Sequence, residues 1–242
     1  MIGALGLGWF ALAFAIAVLA ATVQCSIGFG GNLIMMPTIV LFAPELIPGS
    51  LLFATMFMNL AMARRELNMV EPVTVRNAVA GRIAGTLLGI VVLSQLSDVA
   101  LTLAVGISVL VMVLIVAIGK APARTPMTMA GGGALSGLTA VIAGIGGPPV
   151  VLLFQNDRGP SVRANMGAFF MIGSVITLIG LAFADRFGWQ EIGWGFALVP
   201  AVGLGYLLSG PMLPIVDRGW TRPAILLVSA ASALTLILRT VL

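Results

Sequence analysis

Apolar runs follow one another along the chain with only short polar interruptions. Residues 5–26, 48–63, 72–95, 99–118, 129–143, 161–184, 190–210 and 222–241 are long stretches of Leu, Val, Ile, Ala, Phe and Gly. Their lengths approach or reach the ~20 residues that a helix needs to cross ~30 Å of hydrocarbon. Two further runs, 32–43 and 148–155, are too short to span. Each follows a glycine-rich break: Gly28-Phe29-Gly30-Gly31 before the first, Gly144-Ile145-Gly146-Gly147-Pro148-Pro149 before the second. The pattern predicts an all-α polytopic membrane protein in which long spans are interrupted twice by broken or re-entrant hairpins.

The two breaks also predict an internal repeat. Gly28 to Gly31 matches Gly144 to Gly147 at an offset of 116, and Gly85-Thr86-Leu87-Leu88-Gly89 resembles Gly205-Tyr206-Leu207-Leu208-Ser209-Gly210 at an offset of 120. Asp98 and Asp217 follow at an offset of 119. A restricted apolar alphabet produces chance repeats, but paired Gly-x-Gly-Gly breaks at matching positions argue against chance. The expected organisation is a first membrane repeat over 1–118, a cytoplasmic linker over 119–128 and a second repeat over 129–242. Each repeat holds one broken hairpin and three transmembrane helices. Five segments per repeat is an odd number, so the halves run in opposite senses across the membrane, the inverted plan of many secondary transporters.

Charge supports that orientation. With the N-terminus outside, Arg64, Arg65, Arg76, Lys120, Arg124, Arg158, Arg163, Arg218 and Arg222 fall on the cytoplasmic side, and Arg186 and Arg239 fall outside. Cytoplasmic loops carry such an excess of basic residues. Of the 242 residues, 60% are hydrophobic and 8% charged, against about 25% charged in a soluble domain. The net charge of +4 is spread through short loops, so it reads as a topology signal and implies no nucleic-acid partner. Met1 to Cys25 has no basic n-region, because the first Lys or Arg is Arg64. Its length fits a spanning helix and not a signal peptide. Ala21-Thr22-Val23-Gln24 also makes a poor lipoprotein cleavage site before Cys25.

The residue inventory excludes several chemistries. Histidine is absent and Cys25 is the one cysteine, so imidazole catalysis, a cysteine metal cluster and an intrachain disulfide are ruled out. No cofactor is expected. All eight carboxylates (Glu45, Glu66, Glu71, Asp98, Asp157, Asp185, Glu191 and Asp217) fall in or beside predicted loops, whereas proton relays and cation sites normally place an acid or His within the membrane. No P-loop is present to drive transport with ATP.

What remains is a candidate anion site at the breaks. Irregular backbone at membrane depth survives only when buried or lining a polar cavity. A helix starting near Asn32 or Pro148 would present free amides and a partial positive charge to a small anion. The alternative is that the glycines merely permit tight packing or a sharp turn. Gln24, Cys25, Ser26, Gly28, Gly30, Gly31 and Asn32 at the first break are candidate substrate-binding residues, as are Thr139, Gly144, Gly146, Gly147 and Pro148 at the second. Capping of the turn accounts equally well for Ser26 and Asn32. Cys25 is either a reactive thiol or a small packing residue; no basic residue lies nearby in sequence to activate it. Arg82 lies deep in the fourth run, beside Gly81, Gly85 and Gly89, a stripe that lets another helix approach closely. It either attracts an anion on the path or pairs with loop carboxylates or helix-end carbonyls.

At Gly28-Phe29-Gly30-Gly31-Asn32 with Pro37, and at Gly137-Leu138 through Gly144-Ile145-Gly146-Gly147-Pro148-Pro149, the sequence resembles the TauE/SafE family of sulfite exporters. The resemblance covers essentially the whole chain, and the second break with its double proline is the more specific signal. It implies a multi-pass protein of the cell inner (plasma) membrane, not an enzyme, that moves sulfite, a sulfonate or a related organosulfur anion. The competing expectations are a membrane-embedded sulfur-handling enzyme using Cys25 and a structural subunit without substrate. Oligomeric state is not legible.

Overall fold

The computed structural model describes residues 7–97, 122–154 and 156–216, with isolated positions between 99 and 114 and at 234 and 238. Most of the predicted spans 99–118 and 222–241 lies outside the described residues. So do Asp98, Lys120, Asp217, Arg218, Arg222 and Arg239. Among the described residues the regular structure is helical throughout: α1 (Leu7–Ile27), α2 (Gly31–Ile39), α3 (Gly49–Arg65), α4 (Pro72–Leu93), α5 (Pro126–Ala143), α6 (Pro148–Val151), α7 (Gly159–Phe183) and α8 (Trp189–Val216). Five of these, α1, α4, α5, α7 and α8, are long and apolar enough to cross a membrane. The chain is an all-α polytopic membrane protein.

Local chemistry sets the boundaries. α5 starts inside the stretch read as linker, because Thr125 caps it: its hydroxyl accepts from Thr128 N–H while Thr128 Oγ1 accepts from Thr125 N–H. Pro126 follows at the first helical position, where the missing N–H is no loss. α8 runs on through Pro200, Pro211 and Pro214 to Val216, past the predicted end at 210; neighbouring helices allow proline inside membrane helices. α2 stops after nine residues. α6 has four and tightens into a 3-10 turn over Leu152–Phe154.

Small residues decide which helices touch. α4 lies along α5, α1 lies along α8, and α3 packs on both α7 and α8. On the α4–α5 seam, a Cβ added at Gly81 or Gly85 would sit 1.8 Å from the carbonyl oxygen of Ala130 or Ala134, and one at Gly133 would sit 1.9 Å from Ala78 O. The two backbones are therefore in direct contact, as small-xxx-small stripes permit. Gly205 of α8 approaches α1 in the same way, its added Cβ falling 2.6 Å from Val18 O.

The end of α1 is held by two arginines. Arg65 donates to Cys25 O, and Arg163 NH1 donates to Ser26 O at 3.1 Å. The last carbonyls of a helix lack internal acceptor duty, and cations there also oppose the negative end of its dipole. Arg163 is itself neutralised by Glu66, with NH2 2.8 Å from Oε1.

Candidate functional site

Directly beyond that capped end the chain breaks. Gly28 and Gly30 have φ of 98° and 99°, and Gly144 has φ of 68°. These left-handed conformations are open to glycine at little cost, which is why both breaks begin with it. The breaks then meet. Asn32 Nδ2 donates to Gly144 O at 2.8 Å across 112 residues of sequence. Between them lies a cavity. Gln24 enters it from α1, Leu52 and Asn59 from α3, Arg82 from α4, Ala140 from α5, and Phe170 and Ser174 from α7. Gly30, Asn32, Leu33 and Gly144 to Pro148 complete the wall.

Arg82 dominates the electrostatics. It is 2% exposed. Its NH1 donates to Ser136 Oγ at 2.7 Å and its NH2 to Thr177 Oγ1 at 3.3 Å, while the guanidinium carbon stands 5.1 Å from the centroid of the Phe169 ring. Nε has no hydrogen-bond partner among the described residues. Two glycines make room for it: an added Cβ would fall 2.1 Å from Nε at Gly173 and 2.9 Å from NH1 at Gly146. No carboxylate lines the cavity among the described residues. Glu66 is engaged with Arg163, and both Glu71 and Asp157 face Arg124. The buried cation is thus held by hydroxyls and an aromatic face, without a described carboxylate counter-ion.

The two helix starts at the cavity are unequal. α2 begins at Gly31 with Gly30 as an uncapped N-cap, so its first amides are free in the way an anion site requires. At α6 the first two residues are prolines, which have no N–H, and the helix is four residues long. The expectation of two matched helix ends is therefore corrected: the second break contributes backbone and glycine space, not a second helix dipole.

Of the residues singled out from sequence, Gln24, Gly30, Asn32, Arg82, Gly144, Gly146, Gly147 and Pro148 are brought together around the cavity. The others stand off it. Cys25 is fully buried in the core of α1 and its neighbours. Ser26 Oγ donates to Thr22 O at 2.6 Å and Thr139 Oγ1 to Leu135 O at 2.9 Å, each bonding to its own helix. Gly28 packs on Val162 and Arg163, and Gly31 on Ala20 and Gln24. Sequence reading passed over Asn59 and Ser174, which line the cavity, and Ser136, Thr177 and Gly173, which hold Arg82. Asn59 did carry a signal: it is an amide inside an apolar run, and its Oδ1 accepts from Gln24 Nε2 at 2.8 Å.

Comparison with known proteins agrees in class. The family model described as Sulfite exporter TauE/SafE matches residues 13–236. A probable membrane transporter protein of Haemophilus influenzae is 31% identical over 91 residues, a stretch that covers 38% of this chain and 33% of that protein's length. No solved structure matches.

Proposed function

Because the chain belongs to the sulfite exporter TauE/SafE family, we propose that it is a secondary transporter of a small oxyanion, with sulfite, a sulfonate or a related organosulfur anion as cargo, in the cell inner membrane. The observation that carries this reading is the buried Arg82 beside a cavity that holds no described carboxylate. A buried charge without counter-ion is expensive, and an intramembrane cation of this kind marks a substrate path. An anion entering the cavity supplies the missing charge. The free amides of α2 and the side-chain amides of Asn59 and Gln24 offer further donors. Cys25 lies off the cavity, which weighs against thiol chemistry on the cargo.

The inverted arrangement belongs to the same proposal. Under an exchange of the two halves, α1 corresponds to α5 and α4 to α8. The pairing of α1 with α8 then becomes that of α5 with α4, and both are extensive. The contacts correspond too. Gly85 meets Ala134 and Gly205 meets Val18; 205 less 85 is 120, and 134 less 18 is 116, the offsets seen in the sequence. Rocking of one half on the other about a fixed midplane site would give alternating access.

The test is transport by purified protein in liposomes. Saturable, mutually competitive movement of sulfite and methanesulfonate is expected. It should be lost in Arg82→Gln protein that still runs as a monodisperse peak in detergent. Saturable transport of Na⁺ or an amine without anion dependence would overturn the reading.

A further inference from the structure

Among the described residues the cavity offers its cargo one positive charge and, on Asn32, a buried acceptor without a partner. Arg82 is the charge. Of the elements around the cavity, α1 carries Cys25, α3 ends in Arg64 and Arg65, α4 carries Arg76, and α7 carries Arg163 in its pair with Glu66; α2, α5 and α6 carry no titratable side chain. Among the described residues only Arg82 of all these lines the cavity. The acceptor is Asn32. Its Nδ2 is committed to Gly144 O, which fixes the orientation of the amide, and its Oδ1 is buried with no hydrogen-bond partner among the described residues. Acceptor oxygens buried in this way are costly and call for a donor.

Resting on the anion-transport reading above, we propose that the cavity takes its cargo as a singly charged oxyanion that still carries a proton, and rejects the doubly charged form. One guanidinium neutralises one negative charge. A dianion would leave a second charge in a wall made of amides, a hydroxyl and apolar side chains such as Leu52, Ile145 and Phe170, where an unpaired charge is penalised heavily. The protonated monoanion removes that excess, and its O–H supplies the donor that Asn32 Oδ1 lacks. Hydrogensulfite and dihydrogenphosphate have both properties. Sulfate fails on charge near neutral pH, and methanesulfonate satisfies the charge but has no donor. Moving such a cargo carries one proton with each anion and leaves the loaded cavity neutral.

The experiment measures dissociation constants by calorimetry on the full-length protein in detergent at constant ionic strength, across the pH range in which sulfite gains its proton. Sulfite should bind about tenfold more weakly for each pH unit above that ionisation, following its monoanion fraction. Methanesulfonate should be flat with pH, which excludes titration of the protein as the cause, and should exceed sulfate by about tenfold or more. Asn32→Leu should erase the advantage of hydrogensulfite over methanesulfonate and leave methanesulfonate bound. Arg82→Lys should keep the preference for one charge over two. Sulfate binding as tightly as methanesulfonate, or sulfite binding more tightly as pH rises, overturns the charge rule while leaving anion transport intact. An Asn32→Leu protein that still favours hydrogensulfite overturns the acceptor's role. Binding of none of these anions overturns the transport reading as well.

Discussion

Replacing Gly85 by alanine should lower the stability of the protein, although alanine is the better helix former by ~0.8–1.0 kcal/mol. The added Cβ would lie 1.8 Å from Ala134 O and 2.8 Å from Ala134 Cα. A close carbon–oxygen contact across helices is about 3.3 Å, so α4 and α5 must part by about 1.5 Å. Backbone atoms stand on the far side, and no side chain can swing away. Parting the seam also loosens the contacts at Gly81 and Gly133. Overpacking of this kind costs roughly 1–3 kcal/mol, and a clash against unyielding backbone belongs at the upper end, about 2–3 kcal/mol. Set against the propensity gain, the net loss is on the order of 1–2 kcal/mol. At roughly 2–4 °C per kcal/mol for a chain of this size, the melting midpoint should fall by about 2–8 °C. Tryptophan fluorescence during heating in detergent reads this directly. Gly131→Ala is the internal control: it lies exposed on α5 with nothing within 4 Å of its added Cβ, and should melt at or slightly above the wild-type temperature. A Gly85→Ala protein that melts as high as Gly131→Ala would refute the backbone seam.

Gly30→Val and Gly146→Val should abolish transport while much of the protein still inserts: the first has φ of 99° and the second would press on NH1 of Arg82. Flux at the wild-type rate in both would remove these glycines from the site. Glu66→Ala strands the guanidinium of Arg163, whose side chain is 4% exposed; it should destabilise toward the lower end of the ~3–5 kcal/mol seen for broken buried pairs, and an unchanged melting curve would contradict the pair's structural role. Cys25→Ala should transport normally, and loss of flux in a folded variant would revive thiol chemistry. Accessibility labelling of single cysteines placed in the 119–128 stretch of a Cys25→Ala background should report the cytoplasmic side; labelling from outside intact cells would end the inverted arrangement.

The legible parts of the fold were those marked by residues that do not belong in an apolar run. Glycine clusters gave the positions of both breaks, and α4, α7 and α8 begin within about two residues of the expected starts. Arg82 stood out because a cation at that depth needs a reason. The inward faces of α3 and α7 were not legible. In a membrane the outward face meets lipid tails as apolar as the core, so helix association leaves little polar–apolar periodicity to read. Leu52 and Phe170 therefore look like any lipid-facing residue until neighbouring helices are placed. Ser174 and Thr177 are three residues apart on one helix face, but weakly polar residues of this kind are common enough in membrane helices to carry little information alone. The brevity of α6 was hidden for another reason: Pro148 and Pro149 read as a good helix start, and nothing local announces that the turn tightens four residues later.

The contact between α1 and α8 also has a consequence for biosynthesis. Val18 and Ala21 of α1 form the surface on which Gly205 sits, so the partner of α1 lies in the last of the extended described helices. At translation rates of ~5–20 residues per second, some 185 further residues take roughly 10–40 s to appear. α4 and α5 are neighbours in the chain order of the described helices and can join as soon as α5 emerges. α1 has to stand in the bilayer through that interval with its small-residue face uncovered, and chains cut short before α8 keep it so. α8 thus covers a surface that α1 presented some 185 residues earlier, and a chain cut short before it leaves a membrane-inserted but open helix set.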